Sequence, residues 1–241
     1  MLTGAGGGET GRRRPVLWHD HDMTASVSVS WDRIEEWCRH NDIEHTLRPP
    51  AQTAAIQAAE TEISHRLPAD LLESLRRHDG TTSRPVNYLV PRRWILLPLE
   101  TMLETWRWKT EHLAQRQAAE IDDFSDEDDE DWSEVEPGEE DAFWGWNPNW
   151  LPIALDDSGC HLVVELRAGA LHGSVGQLDP ESAPRFAGVN THPSTAALLE
   201  HTADALHSNE VVIARVQNDG VHWTERHEMT SAATLDAGRA R

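Results

Sequence analysis

The chain has 241 residues, 38% of them hydrophobic, and a formal net charge of −21. That is length enough for one sizeable core, but the charge excludes nucleic acid and an anionic membrane surface as partners, because both need Lys and Arg to neutralise phosphates. No apolar run approaches the ~20 residues of a bilayer span. The two cysteines, Cys38 and Cys160, are too few for a disulfide framework, so the reading is a cytoplasmic chain with buried free thiols.

In chain order, residues 1–29 open with Gly4, Gly6, Gly7, Gly8 and Gly11, then Arg12–Arg14, and read as a disordered tail in which Met23 is an alternative start. His19, Asp20, His21 and Asp22 are metal-ligand types, but adjacent residues in such a tail hold no fixed geometry, so no metal is expected there. Ser30 is a plausible N-cap for a helix carrying Trp31, Ile34, Trp37 and Cys38 at helical spacing. Pro49-Pro50 breaks the chain before an alanine-rich helix over 51–65 with Ile56, Ala59 and Ile63 on one face. Leu67-Pro68 stops that helix and starts the next at Pro68, with Leu71, Leu72 and Leu75 inward and Gly80 turning the chain after it.

Val86–Val90 reads as a strand and Trp94–Leu97 as a second short apolar run. Pro98 opens a helix with Leu99, Met102, Leu103 and Trp106, fraying past Arg116. Residues 1–119 hold 16 acidic and 15 basic groups, residues 120–141 hold 14 and none, and residues 142–241 hold 12 and 6. Two thirds of the net charge thus sits in 22 residues, an insert whose composition predicts a mobile acidic loop over 120–141. Three strands follow, Leu151–Leu155, Cys160–Leu166 and Leu171–Leu178, with turn signals that predict an antiparallel meander. Ser194 caps a helix to His207 with Ala197, Leu198, His201, Ala205 and Leu206 inward, and a hairpin, Glu210–Gln217 with Val221–Arg226, turns at Asn218-Asp219-Gly220. Residues 228–241 read as a C-terminal tail. Helices and strands without βαβ alternation define an α+β fold, with helices around an antiparallel sheet over residues 30–227.

Leu67-Pro68-x-Asp70, His78-Asp79-Gly80, Trp94-x-x-x-Pro98-Leu99-Glu100, and Trp150-Leu151-Pro152-Ile153-Ala154 with Asp157-x-Gly159 follow one another in an order that resembles the SUKH superfamily, in its cell-wall-assembly-regulator (Smi/Knr) branch. The resemblance covers roughly residues 31–207. It implies a compact α+β domain without catalytic chemistry or cofactor, used in bacteria largely as an immunity protein that neutralises a toxin and in fungi as a regulatory interaction module. The first of these is the leading expectation and the second the alternative. The long acidic insert and the hairpin after residue 209 depart from the family pattern.

Other chemistries lack their residue patterns. There is no HExxH, no GxSxG, no phosphate-cradling glycine loop and no cysteine beside an activating neighbour, and His161, His172, His201 and His207 fall on separate elements. An EF-hand counted from Asp126 would place Asp131 at the glycine position and Pro137 at the glutamate position, so that template fails. The expected partner is a basic protein, drawn to Asp126, Glu127, Asp128, Asp129, Glu130 and Asp131 and contacted by Trp132, Trp144 and Trp146. Trp144 and Trp146, flanked by Gly145 and Asn147, suit an exposed platform or the core equally. Trp94 and Trp150, beside apolar strand residues, are expected in the core.

Overall fold

A computed structural model of the chain describes residues 25–83, 86–123, 145–179, 184–208 and 212–225. Helix α1 (Val27–His40) starts at Ser26, whose hydroxyl accepts from the Val29 N–H. Ser30, the expected cap, is instead inside the helix and buried. Both serines are competent caps, but the earlier start adds Val27 to the stripe Trp31, Ile34 and Cys38, and every member of that stripe is at most 2% exposed. A 3-10 turn (Glu44–Thr46) leads to α2 (Thr53–Glu62), which buries Ile56 and Ala59, and to α3 (Ala69–Arg77), which buries Leu71 and Leu75. Pro68, expected as the first helical residue of α3, is its extended N-cap, with ψ 146°.

Strands β1 (Ile95–Leu96), β2 (Trp150–Leu155), β3 (His161–Glu165) and β4 (Val175–Leu178) form an antiparallel sheet in chain order, pairing Leu151 with Val164 and Val163 with Gly176. The ladder is irregular between Pro152 and Ala154, where proline has no N–H to donate. Between β1 and β2 runs α4 (Leu99–Asp123), which continues past Arg116 and takes residues 120–123 of the expected acidic loop into the helix. Residues 124–141, the rest of that insert, lie outside the described residues, as do residues 1–24 of the expected N-terminal tail over 1–29 and all of the expected tail over 228–241; residues 27–29 of the first tail belong to α1.

The sheet is buried on both faces. Leu162 and Val164 point into the main core with α1, α3 and α5, whereas Val163 lies on the other face with Trp146, Trp150 and Leu178, covered by Trp106 and Leu113 of α4 and by Phe186. Helix α5 (Thr195–His207) is capped by Ser194, whose hydroxyl accepts from the Ala197 N–H at 3.1 Å. Its buried face is Leu198, Leu199, Thr202, Ala203, Ala205 and Leu206, so His201, expected inward, is exposed.

Strands β5 (Val212–Gln217) and β6 (Gly220–Glu225) make a separate hairpin around Asn218 and Asp219, both at positive φ. It docks on residues 86–88: the Tyr88 N–H donates to Val221 O at 3.2 Å and the Trp223 indole N–H to Tyr88 O at 2.7 Å. Val86–Val90 is consequently not the expected strand and makes only isolated bridges, Val86 with Ser83 and Val90 with Trp94. The reason is Asn87, fully buried, whose amide donates to the Thr46 hydroxyl at 2.7 Å and accepts from the Val221 N–H at 3.2 Å. A polar side chain spent on tying two segments together cannot sit in an apolar ladder.

Candidate functional site

The residues of the sequence signature hold the backbone together. Asp70 accepts from the N–H of Leu71 and, through its other oxygen, from that of Ala196, so it joins the starts of α3 and α5. Asp79 accepts from the Leu99 N–H at 2.7 Å, which caps α4. Gly80 has φ +70°, and a Cβ there would stand 2.6 Å from the Leu97 carbonyl carbon and oxygen. Trp94 and Trp150 are in the core, at 2% and 0% exposure. The Trp150 indole donates to Glu165 Oε2 at 3.0 Å, and Arg167 clasps the same buried carboxylate with Nε at 2.9 Å and a terminal nitrogen at 2.6 Å.

Of the expected partner-contact residues, Asp126, Glu127, Asp128, Asp129, Glu130, Asp131, Trp132 and Trp144 lie outside the described residues. Trp146 is described and is 6% exposed. Its indole N–H donates to the Thr110 hydroxyl at 3.0 Å and its ring meets Trp150 edge to face at 6.2 Å. Trp146 therefore seats the chain that returns from the acidic insert onto α4. The aromatic that is open there is Trp108, 62% exposed and stacked on His112 one helical turn away at 5.6 Å. Its helical phase carried the signal: Trp106 continues the inward stripe of Leu99, Met102 and Leu103, and Trp108, two residues on, must face elsewhere.

Beside Trp108 lies Lys109, the single lysine of the chain, with its ammonium 5.8 Å from the Trp108 ring centre and 5.6 Å from that of Trp146. Burial lowers its pKa. Its charge is in turn the second cause, after burial, that pushes His161 down to about 4. On another side of α4, a groove of about 560 Å³ against α2 is lined by Leu99 and Leu103, by the carboxylates of Glu62, Asp79, Glu100 and Glu104, and by Arg48, which pairs with Asp79 at 3.8 Å. Arg107 is bound to Glu62 there through two nitrogens. The described surface around α4 thus has an exposed tryptophan on one side and, on another, a groove whose acids are partly paired with arginine.

The reactive residue types are quiet. Cys38 and Cys160 are both free and buried. Burial, then Glu44 and Glu35, pushes the Cys38 thiol up to about 12, and burial also raises Cys160, so neither is poised as a thiolate. Among the described residues no group of three or more His, Cys, Asp or Glu is placed to hold a metal ion, and the His19–Asp22 cluster lies outside them. No described helix is long and apolar enough to cross a membrane.

A two-faced sheet wrapped by helices, with its signature residues turned to backbone work and an aromatic and acidic surface along one helix, defines an α+β scaffold that presents a surface. The chain belongs to the SMI1 / KNR4 family (SUKH-1), whose sequence pattern matches residues 50–185, more than half its length. It is similar to the cell wall biosynthesis/cell cycle regulator smi1 of Schizosaccharomyces pombe, 28% identical over 148 residues that make up 59% of this chain and 29% of that protein. It is also similar to a KNR4/SMI1 homolog of Yarrowia lipolytica, 33% identical over 89 residues, 35% of this chain and 12% of that protein. The chain spans less than a third of the length of these curated relatives.

Proposed function

We propose that this chain is a regulatory protein-binding domain of the Smi/Knr type, without catalytic chemistry of its own, that recruits a basic protein partner. The observation that carries this reading is the family match together with a relative named as a regulator of cell wall biosynthesis and the cell cycle. Those names favour the regulatory alternative over toxin neutralisation. The contact surface is the α4 face around Trp108, with the acids at 126–131 and Trp132 and Trp144 reaching the partner from the insert. Trp146 holds the insert's return on α4.

The carboxylates steer a cationic partner and the exposed aromatic anchors it. Partner capture from the source cells, followed by surface plasmon resonance with the recovered protein, tests the reading. Association slows with added salt as the Debye length shortens from ~10 Å at 0.1 M. Asn and Gln in place of the acids at 126–131 lower the on-rate, whereas Trp108→Ala mainly speeds dissociation. Binding that ignores salt and both substitutions refutes this surface.

A further inference from the structure

A second cavity, of about 270 Å³, opens between the turn at residues 91–93, the segment 188–192 and the start of α5. Its apolar lining includes Trp94, Leu162 and Leu198, and its polar lining brings together Arg92, His192 and His201 with Asn190, whose amide donates to Gln177 at 3.1 Å, and Thr191, whose hydroxyl donates to Gly188 O at 2.9 Å. The two imidazoles lie with ring centres 5.4 Å apart. Arg92 is exposed, forms no ion pair among the described residues, and stands close enough to His201 for its charge to be felt there. Trp94 is 2% exposed, and its enclosed indole N–H has no acceptor. That nitrogen is itself closed off from water, so it lies within the wall rather than on it.

The turn that carries Arg92 supplies a further sign. Arg92 and Arg93 both have positive φ, 67° and 73°, in the short loop closed by the Val90 to Trp94 bridge. Such strain in non-glycine residues clusters at ligand clamps. No carboxylate lines the cavity among the described residues, and its one fixed charge, Arg92, is positive. The nearest carboxylate felt by the pair, Asp204, is held by Arg33 at 2.7 Å. A cation would meet Arg92 with only two imidazoles to bind it, which disfavours a metal.

We propose that this cavity binds an oxyanion, the carboxylate or phosphate of a small ligand, between Arg92 and the His192 and His201 pair. This site is separate from the α4 surface, and its failure would leave the proposed regulatory role untouched. Burial and then the neighbouring His201 push His192 down to about 4, and partial desolvation lowers the exposed His201 against the opposing pull of Asp204, with Arg92 lowering it further. An anion among these groups offsets that desolvation and mutual repulsion, so it draws protons onto both rings and binds more tightly as pH falls.

The test is NMR of the histidine Cε1–Hε1 resonances of the full chain during titration with sodium acetate and, separately, inorganic phosphate at constant ionic strength. Expected are saturable shifts confined to two of the 14 histidines, His192 and His201, with the apparent pKa of both rising at saturation. The anion that saturates at the lower concentration identifies the oxyanion as carboxylate or phosphate. Arg92→Gln, at an exposed position that leaves the core intact, weakens binding about tenfold or more, as loss of a charged hydrogen bond does. Shifts that never saturate, that spread over all the histidines, or that are equal in wild type and Arg92→Gln overturn the proposal.

Discussion

Replacing Arg167 by Met tests the electrostatic joint beneath the outer face of the sheet. Glu165 is 0% exposed and receives the Trp150 indole, the Arg167 backbone N–H and two guanidinium nitrogens, all at 3.0 Å or less. Methionine keeps much of the stem's volume but leaves a carboxylate in the interior without its cation. Breaking a buried pair from one side costs about 3–5 kcal/mol, a large share of the ~5–15 kcal/mol that holds a domain together. For a chain of this size the melting temperature is expected to fall by roughly 10 °C or more. The double variant Glu165→Leu with Arg167→Met removes the stranded charge, leaves the buried Trp150 N–H unmatched at about 1–3 kcal/mol, and releases the Arg167 backbone N–H, which is only part-buried and open to water. The double variant is therefore expected to be more stable than the single one. Urea unfolding followed by circular dichroism measures both through the midpoint, at constant slope. An Arg167→Met loss below ~1 kcal/mol, the range of an exposed ion pair, or a double variant worse than the single, refutes the reasoning.

Four further outcomes are expected. His161 is 8% exposed and held down to about 4, so the native state refuses a proton that the unfolded chain accepts near 6.5. Its stabilising contribution is complete above pH 6.5 and lost as pH falls towards 4, about 3 kcal/mol in all, and urea midpoints across that window are expected to depend less on pH in His161→Gln. Gly220→Ala puts a Cβ 1.9 Å from Val86 O, so the β5–β6 hairpin is expected to leave residues 86–88 and amide exchange at Tyr88 and Val221 to accelerate while β2 and β3 stay protected. Lys109, the sole lysine, is expected to react with an amine reagent at lower pH than an ordinary lysine, read by peptide mass mapping against pH. Trp94→Ala empties core volume and is expected to cost about 3–5 kcal/mol by urea unfolding, with near-wild-type stability placing Trp94 outside the core.

Periodicity exposed most of the helices because their stripes are dense: Ile56, Ala59 and Ile63, or Leu71 and Leu75, have no second face to compete with. The meander was legible because Asp156-Asp157-Ser158-Gly159 interrupts apolar runs short enough to be strands. Errors arose where two local answers were close in energy or where a distant partner decided. Ser26 and Ser30 both cap well, and only the main core's demand for Val27 selects the first. Val86–Val90 has strand composition, but Asn87 is claimed by Thr46, 41 residues earlier, and by Val221, 134 residues later. The helix of 99–123 outruns its apolar stripe, since charged residues with good helix propensity continue a helix already nucleated on Leu99, Met102 and Leu103.

The same separation of local from distant explains why the signature identifies the family and leaves the partner open. Asp70, Asp79 and Gly80 satisfy backbone groups or avoid a carbonyl, tasks that any member with these chain crossings must solve in the same way. Recognition makes the opposite demand, because a surface that selects among partners has to differ between relatives that share a scaffold. In this chain the features that lie outside the signature are Trp108 and the 14 carboxylates of residues 120–141, and both attach to α4, whereas the groove shares Asp79, Leu99 and Glu100 with it. That helix is held at its first turn by Asp79 and along its length by Trp106, whose indole donates to Pro148 O at 2.7 Å, and by the Trp146–Thr110 bond. A helix anchored in this way, with Trp108 outward, is an arrangement in which the surface proposed for binding can change while the signature residues keep their tasks.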